Sequence, residues 1–198
     1  GVIEVGCMAH ARRKFHELHV TGQSLISIEA LELFQSLYTI EREIDEQFEK
    51  NQSPMPRDAQ IVRQIRQNKA KPVADKLYAW LQQKCLGTTK NADINKAIEY
   101  CLKRWTALTR YLDDGSLPID NNWAENQMRP WALGRKNWLF AGSLESGKRA
   151  ANVMSLIQSA RLNGLDPYAY LADVLSRLPT HPDSQIDELL PHVWKPSQ

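Results

Sequence analysis

Apolar side chains recur every three or four residues along most of this 198-residue chain, and this spacing constrains the fold more than any other feature. In residues 24–50 the recurring positions are Ile28, Leu31, Phe34, Leu37, Tyr38, Ile44 and Phe48. An α-helix completes a turn in about 3.6 residues, so these side chains share one face. We predict a long amphipathic helix here, whose apolar face can pack against other helices of the chain or against a partner.

The same periodicity, together with local end signals, predicts two further long helical segments. Residues 58–86 form one of them, and Pro72 inside it marks a kink or a new helix start. A third helix is capped by Asn91 or Asp93 and carries apolar positions up to the Asp114-Gly115 pair, which ends it. The middle of the chain is therefore predicted to be mainly helical, with a break at Pro54 and Pro56.

Shorter elements flank this middle part. Helices are predicted over residues 9–20, 143–163, 166–178 and 183–190. Ser143 and the Asp166-Pro167 pair supply helix starts, and Gly164 supplies a helix end. Val2 to Cys7 alternates as a short strand would. The sum is a mainly α chain with little strand.

Charge is distributed unevenly, although the net charge is only +2 and the composition is typical of a soluble globular protein. Residues 29–49 hold seven acidic side chains and a single base, Arg42. Residues 129–149 hold five bases and a single acid, Glu145. Such a separation favours nucleic acid at one face, while two ordinary solvated faces are the alternative.

Cysteine content and hydropathy exclude several classes of protein. The three cysteines, Cys7, Cys85 and Cys101, are widely spaced and odd in number, which argues against a disulfide framework and fits a reducing cytosol. No apolar run approaches the roughly 18 residues of a membrane span, so we expect no membrane partner.

The segment from Asp120 to Gly142 carries the main chemical signal. It places one carboxylate, Glu125, on a short helix that Asn121 or Asn122 can cap and that Pro130 ends or bends. A carboxylate in this setting is a candidate ligand in a two-metal site that cuts nucleic acid. The alternative is an exposed ion pair between Glu125 and Arg129, four residues later on the helix.

Two groups of bases are candidates for contact with DNA phosphates. Arg135 and Lys136 alternate with Trp131 and Trp138, so they can hold phosphates while the indoles stack on unpaired bases. A packed tryptophan core with cations at its edge is the alternative. The second group, Arg12-Arg13-Lys14, is either a phosphate contact or a solvated helix face.

A zinc site near the N-terminal end is not expected. Cys7 and His10 have acceptable spacing for a ligand pair, and His16 and His19 follow. No second cysteine lies nearby, and a helix would separate His10 from His19 by nine residues.

Several separate blocks of sequence resemble the transposases of the insertion sequence 66 family. The blocks occur in the family's order and comprise Gly6–Phe15, Asp120–Asn126, Arg129-Pro130, Leu133–Ser143, Leu162–Leu175 and Leu189–Trp194. Met8, where the family usually has tryptophan, and Asn126, where arginine is frequent, are departures. Residues 24–114 add little to the resemblance.

The resemblance implies an RNase H-like catalytic fold with an Asp, Asp, Glu triad and divalent metal. Glu125 matches the family's glutamate, and both aspartates would lie upstream of Cys7, outside this chain. On this interpretation the chain is mainly α, the C-terminal portion of an RNase H-like α/β core. The expected parts are a last strand and basic helix (1–20), a helical insertion (21–115), the glutamate helix with its basic region (116–164) and a C-terminal helical segment or cap (165–198).

The function that follows is a DNA transposase fragment. The intact bacterial, cytoplasmic protein would use two Mg²⁺ ions to cut and join double-stranded transposon-end and target DNA, and this chain alone would be inactive. Arg12, Arg13, Lys14, Arg129, Arg135 and Lys136 are the expected DNA contacts. A homo-oligomer and accessory transposition proteins are candidate partners. A non-catalytic helical DNA-binding or assembly module, and a helical protein-interaction domain that uses the acidic 29–49 helix, are the alternatives.

Overall fold

Helices account for nearly all regular structure in the computed structural model, which describes residues 1–22, 25–50, 58–87, 92–138 and 141–196. The side chains of residues 49, 50, 136 and 138 lie outside this description. Within these ranges there is no strand, so the mainly α prediction is confirmed. None of the described helices is long and apolar enough to cross a membrane. The chain divides into two compact units, Gly1–Trp123 and Ala124–Gln198, which we call unit 1 and unit 2.

Unit 1 is built around four helices that each pack against two of the others. Its helices are α1 (Met8–Gly22), α2 (Leu25–Lys50), α3 (Ala59–Ile65), α4 (Lys71–Gly87), α5 (Asp93–Lys103) and α6 (Trp105–Thr109), with a 3₁₀ turn at Arg110–Leu112. Helices α1 and α4 both contact α2 and α5. Phe34 and Leu37 of α2 and Phe15 of α1 lie in the resulting core, so the predicted long amphipathic helix is confirmed.

The predicted strand at Val2 to Cys7 is wrong, because these residues have no regular structure. The Gly6 N–H donates to the Ala107 carbonyl at 2.8 Å, and the Met8 N–H donates to the Ile119 carbonyl at 3.1 Å. These acceptors lie in α6 and in a loop, so no neighbouring strand completes a ladder here. A Cβ on Gly6 would meet the Leu108 nitrogen at 2.8 Å, and this close approach requires glycine.

Helix α3 continues into α4 through a π-helical turn, Arg66–Ala70. The Lys71 N–H donates to the Arg66 carbonyl, five residues back. Pro72 follows at once and has no N–H to donate to a carbonyl of the preceding turn. The wider π turn before it pairs N–H groups with carbonyls five residues back instead of four. The predicted change at Pro72 is therefore a new α-helical start after a π turn.

The π turn directs Arg66 into the core of unit 1, where its side chain is 1% exposed. Its Nε and Nη2 atoms donate to the two Glu41 oxygens at 2.9 and 2.7 Å. Nη1 donates to three main-chain carbonyls, those of Tyr111, Asp114 and Leu117. A buried guanidinium needs such partners, since an unpaired buried charge is very costly. Arg66 thus connects α2 to the chain that follows α6.

The third predicted helix is not continuous, because Arg104 leaves the helical conformation and separates α5 from α6, and its start also differs from expectation. Helix α5 has Ala92 at its N-cap, so capping by Asp93 is wrong; Asn91 lies outside the described residues. Asp93 instead sits in the first turn, where a carboxylate interacts favourably with the helix dipole. After the 3₁₀ turn, Gly115 is required by close packing, because a Cβ there would lie 1.9 Å from the Ala59 carbonyl oxygen.

Unit 2 contains most of α7 (Asn122–Trp138) together with α8 (Leu144–Leu162), α9 (Pro167–Arg177) and 3₁₀ segments at Leu178–Thr180 and Asp183–Leu189. The predicted helix ends are confirmed: Ser143 and Asp166 accept from main-chain N–H groups at the starts of α8 and α9. Gly164 has φ of 72°, as a residue that ends a helix often has. The predicted last helix is the 3₁₀ segment that ends at Leu189.

Candidate functional site

Glu125 lies in the first turn of α7, exposed to solvent. The start of this helix is held by Asp120: one carboxylate oxygen accepts from the Asn122 N–H at 3.0 Å and the other accepts from the Asn122 side-chain amide at 3.0 Å. Asn122 is the first helical residue and Asn121 immediately precedes it. Asp120 thus supplies the acceptor at the start of α7. No role is predicted for it from the sequence.

The basic region after Glu125 forms a continuous helix. Pro130 lies inside α7, which runs on to Trp138, so of the two predicted outcomes the helix end at Pro130 is wrong, and the bend stays a prediction. Proline removes one N–H bond from a helix interior without forcing the chain to stop. Arg129 and Arg135 are both exposed on this helix, and Lys136 is helical although its side chain lies outside the described part of the chain. Every described α7 side chain is exposed or half-buried.

The residues that the structure describes do not by themselves form a metal centre. No group of three or more His, Cys, Asp or Glu side chains among them is arranged to hold a metal ion. Glu125 can therefore supply only one carboxylate, and a two-metal site needs several.

The predicted basic triplet at residues 12–14 divides between two surfaces of unit 1. Arg12 and Arg13 line a cavity of about 460 Å³ between α1 and α2. The Lys14 ammonium lies instead 4.6 Å from the centre of the Tyr100 ring, at a different surface. A helix turns about 100° per residue, so Lys14 lies on the opposite side of α1 from Arg12, whereas Arg13 lies between them. Only Arg12 and Arg13 are brought together.

Tyr38 and Asp120 connect α2 to the segment that precedes α7. The Tyr38 hydroxyl donates to the Asp120 carboxylate at 2.9 Å. Burial, and then this bond to a carboxylate, raise the pKa of Tyr38 above its ordinary value. From the sequence, Tyr38 is predicted only as an apolar position of its helix. Its hydroxyl could have indicated a need for a polar partner, but not which one.

Comparison with known proteins assigns the chain to a class and then to a family. Residues 1–149 match the model described as "Transposase IS66 family", and residues 155–192 match the "IS66 C-terminal element". Both matched segments are segments of transposases. The chain belongs to the IS66 transposase family, so the resemblance noted in the sequence is confirmed.

Three curated relatives come from Sinorhizobium fredii (strain NBRC 101917 / NGR234). "Uncharacterized protein y4hP" is 38% identical over 201 residues, covering 96% of this chain and 35% of that protein. "Uncharacterized protein y4jD" is 40% identical over 194 residues, covering 97% of this chain and 36% of that protein. "Uncharacterized protein y4qI" is 36% identical over 195 residues, covering 96% and 34%. The chain thus spans about a third of the length of these relatives. No solved structure matches it.

Proposed function

We propose that this chain is the part of a DNA transposase that supplies the triad glutamate. The observation that carries the proposal is the match to the IS66 family over residues 1–149, continued by the C-terminal element over 155–192. Glu125 lies at the protein surface in the first turn of α7, as a ligand to a metal shared with substrate DNA would. The intact protein would cut and join transposon-end and target DNA in the bacterial cytoplasm.

Glu125 is the proposed metal ligand, and the metal is Mg²⁺. Magnesium is bound through a few carboxylates together with water and substrate phosphate, so a single exposed glutamate is a suitable contribution. The remaining carboxylates come from an RNase H-like core outside the described residues. The described residues of this chain hold no group of three or more potential metal ligands. We therefore expect the chain alone to cut no DNA.

The proposed DNA contacts are the bases of α1 and α7. Arg129 and Arg135 are exposed and can neutralise phosphates of either DNA strand. Lys136 remains a proposed contact from its sequence position, and Lys14 from its place beside Arg12 and Arg13. Such contacts position the protein on DNA without selecting its sequence. A second copy of the chain and accessory transposition proteins are further candidate partners.

A non-catalytic DNA-binding or assembly module is the second candidate. The lack of a metal-binding group among the described residues favours it over an enzyme that acts alone. On this alternative Glu125 has no chemical role, and only the bases matter.

The decisive experiment is Glu125→Gln in a polypeptide that joins this sequence to the remaining length that its relatives have. We expect Mg²⁺-dependent cleavage of transposon-end DNA to fall by more than the roughly 10–100-fold that is typical when an outer-shell partner is lost. DNA affinity should stay the same, since size and fold are preserved. The measurement is single-turnover cleavage alongside equilibrium DNA binding.

Glu145→Gln is the matched control, because Glu145 is an exposed acid of α8 paired with Lys148 at 2.8 Å. It should leave cleavage unchanged. Equal cleavage by the native and Glu125→Gln proteins would contradict the catalytic proposal and favour the binding module.

A further inference from the structure

The cavity between α1 and α2 is lined mainly by cationic and polar side chains. Arg12, Arg13 and His16 face it from α1. Gln35, Tyr38 and Arg42 face it from α2, and Asn122 lines it at the start of α7. Gln35, Tyr38 and Arg42 are spaced by three, four and seven residues and so share one face of α2, as Arg12 and His16 do on α1, with Arg13 at the edge of that face. Two helices thus bring three guanidinium groups to one volume of about 460 Å³.

Arg42 is the unexpected member, because it is the single base of the acidic run at residues 29–49. The acids on either side of it are engaged elsewhere. Glu41 binds the buried Arg66, and Glu43 binds Lys69 at 2.8 Å. The Arg42 guanidinium is exposed and donates to the Thr39 hydroxyl at 3.0 Å. The acidic helix therefore offers a cation at this surface.

Asp120, the acid bonded to two of the lining residues, also has donors of its own. Asp120 accepts from the Tyr38 hydroxyl, from the Asn122 side-chain amide and from the Asn122 N–H. These bonds fix the Tyr38 and Asn122 side chains that line the cavity. They also direct the Asp120 charge towards donors of its own, which reduces its competition for Arg12, Arg13 and Arg42.

We propose that this cavity binds one phosphate group of the DNA backbone, with Arg12, Arg13 and Arg42 as its ligands. Guanidinium groups present paired N–H donors that match phosphate oxygens, and they remain charged at any physiological pH. The proposal rests on the proposed function, because it assumes that this chain contacts DNA. It adds Arg42, a residue of the helical middle part, to the contacts expected from sequence.

Lys14 is outside this site. Together with Asp93 and Lys96 it lines a separate cavity of about 310 Å³, and its ammonium lies over the Tyr100 ring. The basic triplet therefore contributes two ligands to the phosphate site.

The test is a salt titration of duplex DNA binding by the native chain, Arg42→Gln and Arg12→Gln. Each phosphate contact contributes roughly −0.9 to the slope of log affinity against log salt. We expect each variant to flatten the slope by about that amount, which corresponds to a loss of roughly 8-fold in affinity at 0.1 M salt. The loss should be equal for unrelated DNA sequences. Circular dichroism verifies that the variants are folded.

Lys76→Gln is the matched control, since Lys76 is an exposed base of α4 that does not line the cavity. A slope for Arg42→Gln equal to that of Lys76→Gln, with native binding still salt-dependent, would overturn the phosphate site while leaving the proposed function intact. A native slope near zero would overturn both. Calorimetric binding of inorganic phosphate that depends on Arg42, without any DNA effect, would reduce the site to a small-anion pocket and contradict the proposal.

Discussion

The two units bury their apolar side chains to very different extents. In unit 1, four helices enclose aromatic and aliphatic side chains such as Phe15, Phe34 and Leu77, all at most 1% exposed. In unit 2, the described core consists of Ala160, Tyr170, Val174 and Leu189, with Trp194 packed against it. Large apolar residues remain exposed there, including Leu144 at 76% and Tyr168 at 82%. Unit 1 therefore has a core like that of an ordinary domain, whereas fewer buried apolar side chains stabilise unit 2.

Polar interactions show the same contrast. The Arg66–Glu41 pair of unit 1 lies inside the apolar core and uses all the guanidinium nitrogens. In unit 2 the Tyr170 hydroxyl donates to the Leu189 carbonyl at 2.8 Å, and the Trp194 indole donates to Asp173 at 2.7 Å. These bonds attach the C-terminal segment to α9. We expect amide hydrogen exchange to be slower in the core of unit 1 than in unit 2, since exchange follows local stability.

The largest effect on this contrast is expected from Arg66→Met. The change leaves the Glu41 carboxylate buried without its partner, and loss of one member of such a pair costs about 3–5 kcal/mol. The free energy of unfolding of unit 1, measured by denaturant titration and by hydrogen exchange of its peptides, should fall by this amount. Unit 2 peptides serve as the internal reference.

A double variant separates charge burial from packing. When Glu41→Leu is added to Arg66→Met, the uncompensated carboxylate is removed, and most of the lost stability should return. Recovery should be incomplete, because the carbonyls of Tyr111, Asp114 and Leu117 lose their shared donor. If Arg66→Met alone changed unfolding by less than about 1 kcal/mol, the buried pair would not hold unit 1 together.

A matched pair of glycine substitutions should change the free energy of unfolding by smaller amounts. Gly115→Ala should destabilise unit 1, and Gly147→Ala should stabilise unit 2. Gly115→Ala brings a Cβ to 1.9 Å from the Ala59 carbonyl oxygen, so α3 or the loop must move. Overpacking of this kind costs about 1–3 kcal/mol. Gly147→Ala adds a Cβ within α8 that lies 3.6 Å from the Cβ of Ala141, which precedes the helix, and this is an ordinary van der Waals contact. It should stabilise that helix by about 0.5–1 kcal/mol, because alanine loses less backbone entropy.

Thermal unfolding and peptide-resolved hydrogen exchange measure both glycine variants. Slower exchange in α8 for Gly147→Ala, with faster exchange around α3 for Gly115→Ala, is the expected pattern. Destabilisation by Gly147→Ala would show that unit 2 is packed more tightly around α8 than its exposed side chains indicate.

Sequence reasoning succeeded where the physics is local. The apolar spacing located α2, and the caps at Ser143 and Asp166 follow from side chains that bond their own neighbouring N–H groups. It failed where a distant partner decides. Val2 to Cys7 alternates as a strand does, but its Gly6 N–H donates to the Ala107 carbonyl of α6, and the next residue, Met8, donates to the Ile119 carbonyl. Strand formation requires a neighbouring strand, which the alternation of a segment cannot supply.

The candidate site also has features that local sequence predicts and features that depend on residues distant in sequence. The placement of Glu125 near the start of a helix was predicted from the local pattern, whereas the acceptor there, Asp120, is also bound by Tyr38, 82 residues away in sequence. Arg12 and Arg13 were recognised as bases, but Arg42 was counted within an acidic run. Only the packing of α1 against α2 brings the three to one cavity, and their sequence separation gives no sign of it.

The smallest predicted effect uses Cys101, which lies in the core of unit 1. Burial raises the pKa of this thiol to about 12 from an ordinary value of 9.0. The folded state therefore favours the neutral thiol, so its contribution to stability is complete well below pH 9.0 and is lost as the pH rises through 9.0 towards 12. Between pH 8 and pH 9 the free energy of unfolding of unit 1 should fall by less than about half a kcal/mol.

Comparison with Cys101→Ala isolates this contribution. The variant has a smaller side chain and can be less stable at every pH, but it lacks the thiol, so its unfolding free energy should change less between pH 8 and pH 9. Tyrosines contribute little in this interval, because their ordinary pKa is 10.0. All three cysteines lie in unit 1, so the pH response of unit 2 should be the same in both proteins. An identical pH dependence of unit 1 in the two proteins would mean that Cys101 ionises as easily in the folded chain as in the unfolded one. Water would then reach the Cys101 thiol, contrary to its buried position in the core of unit 1.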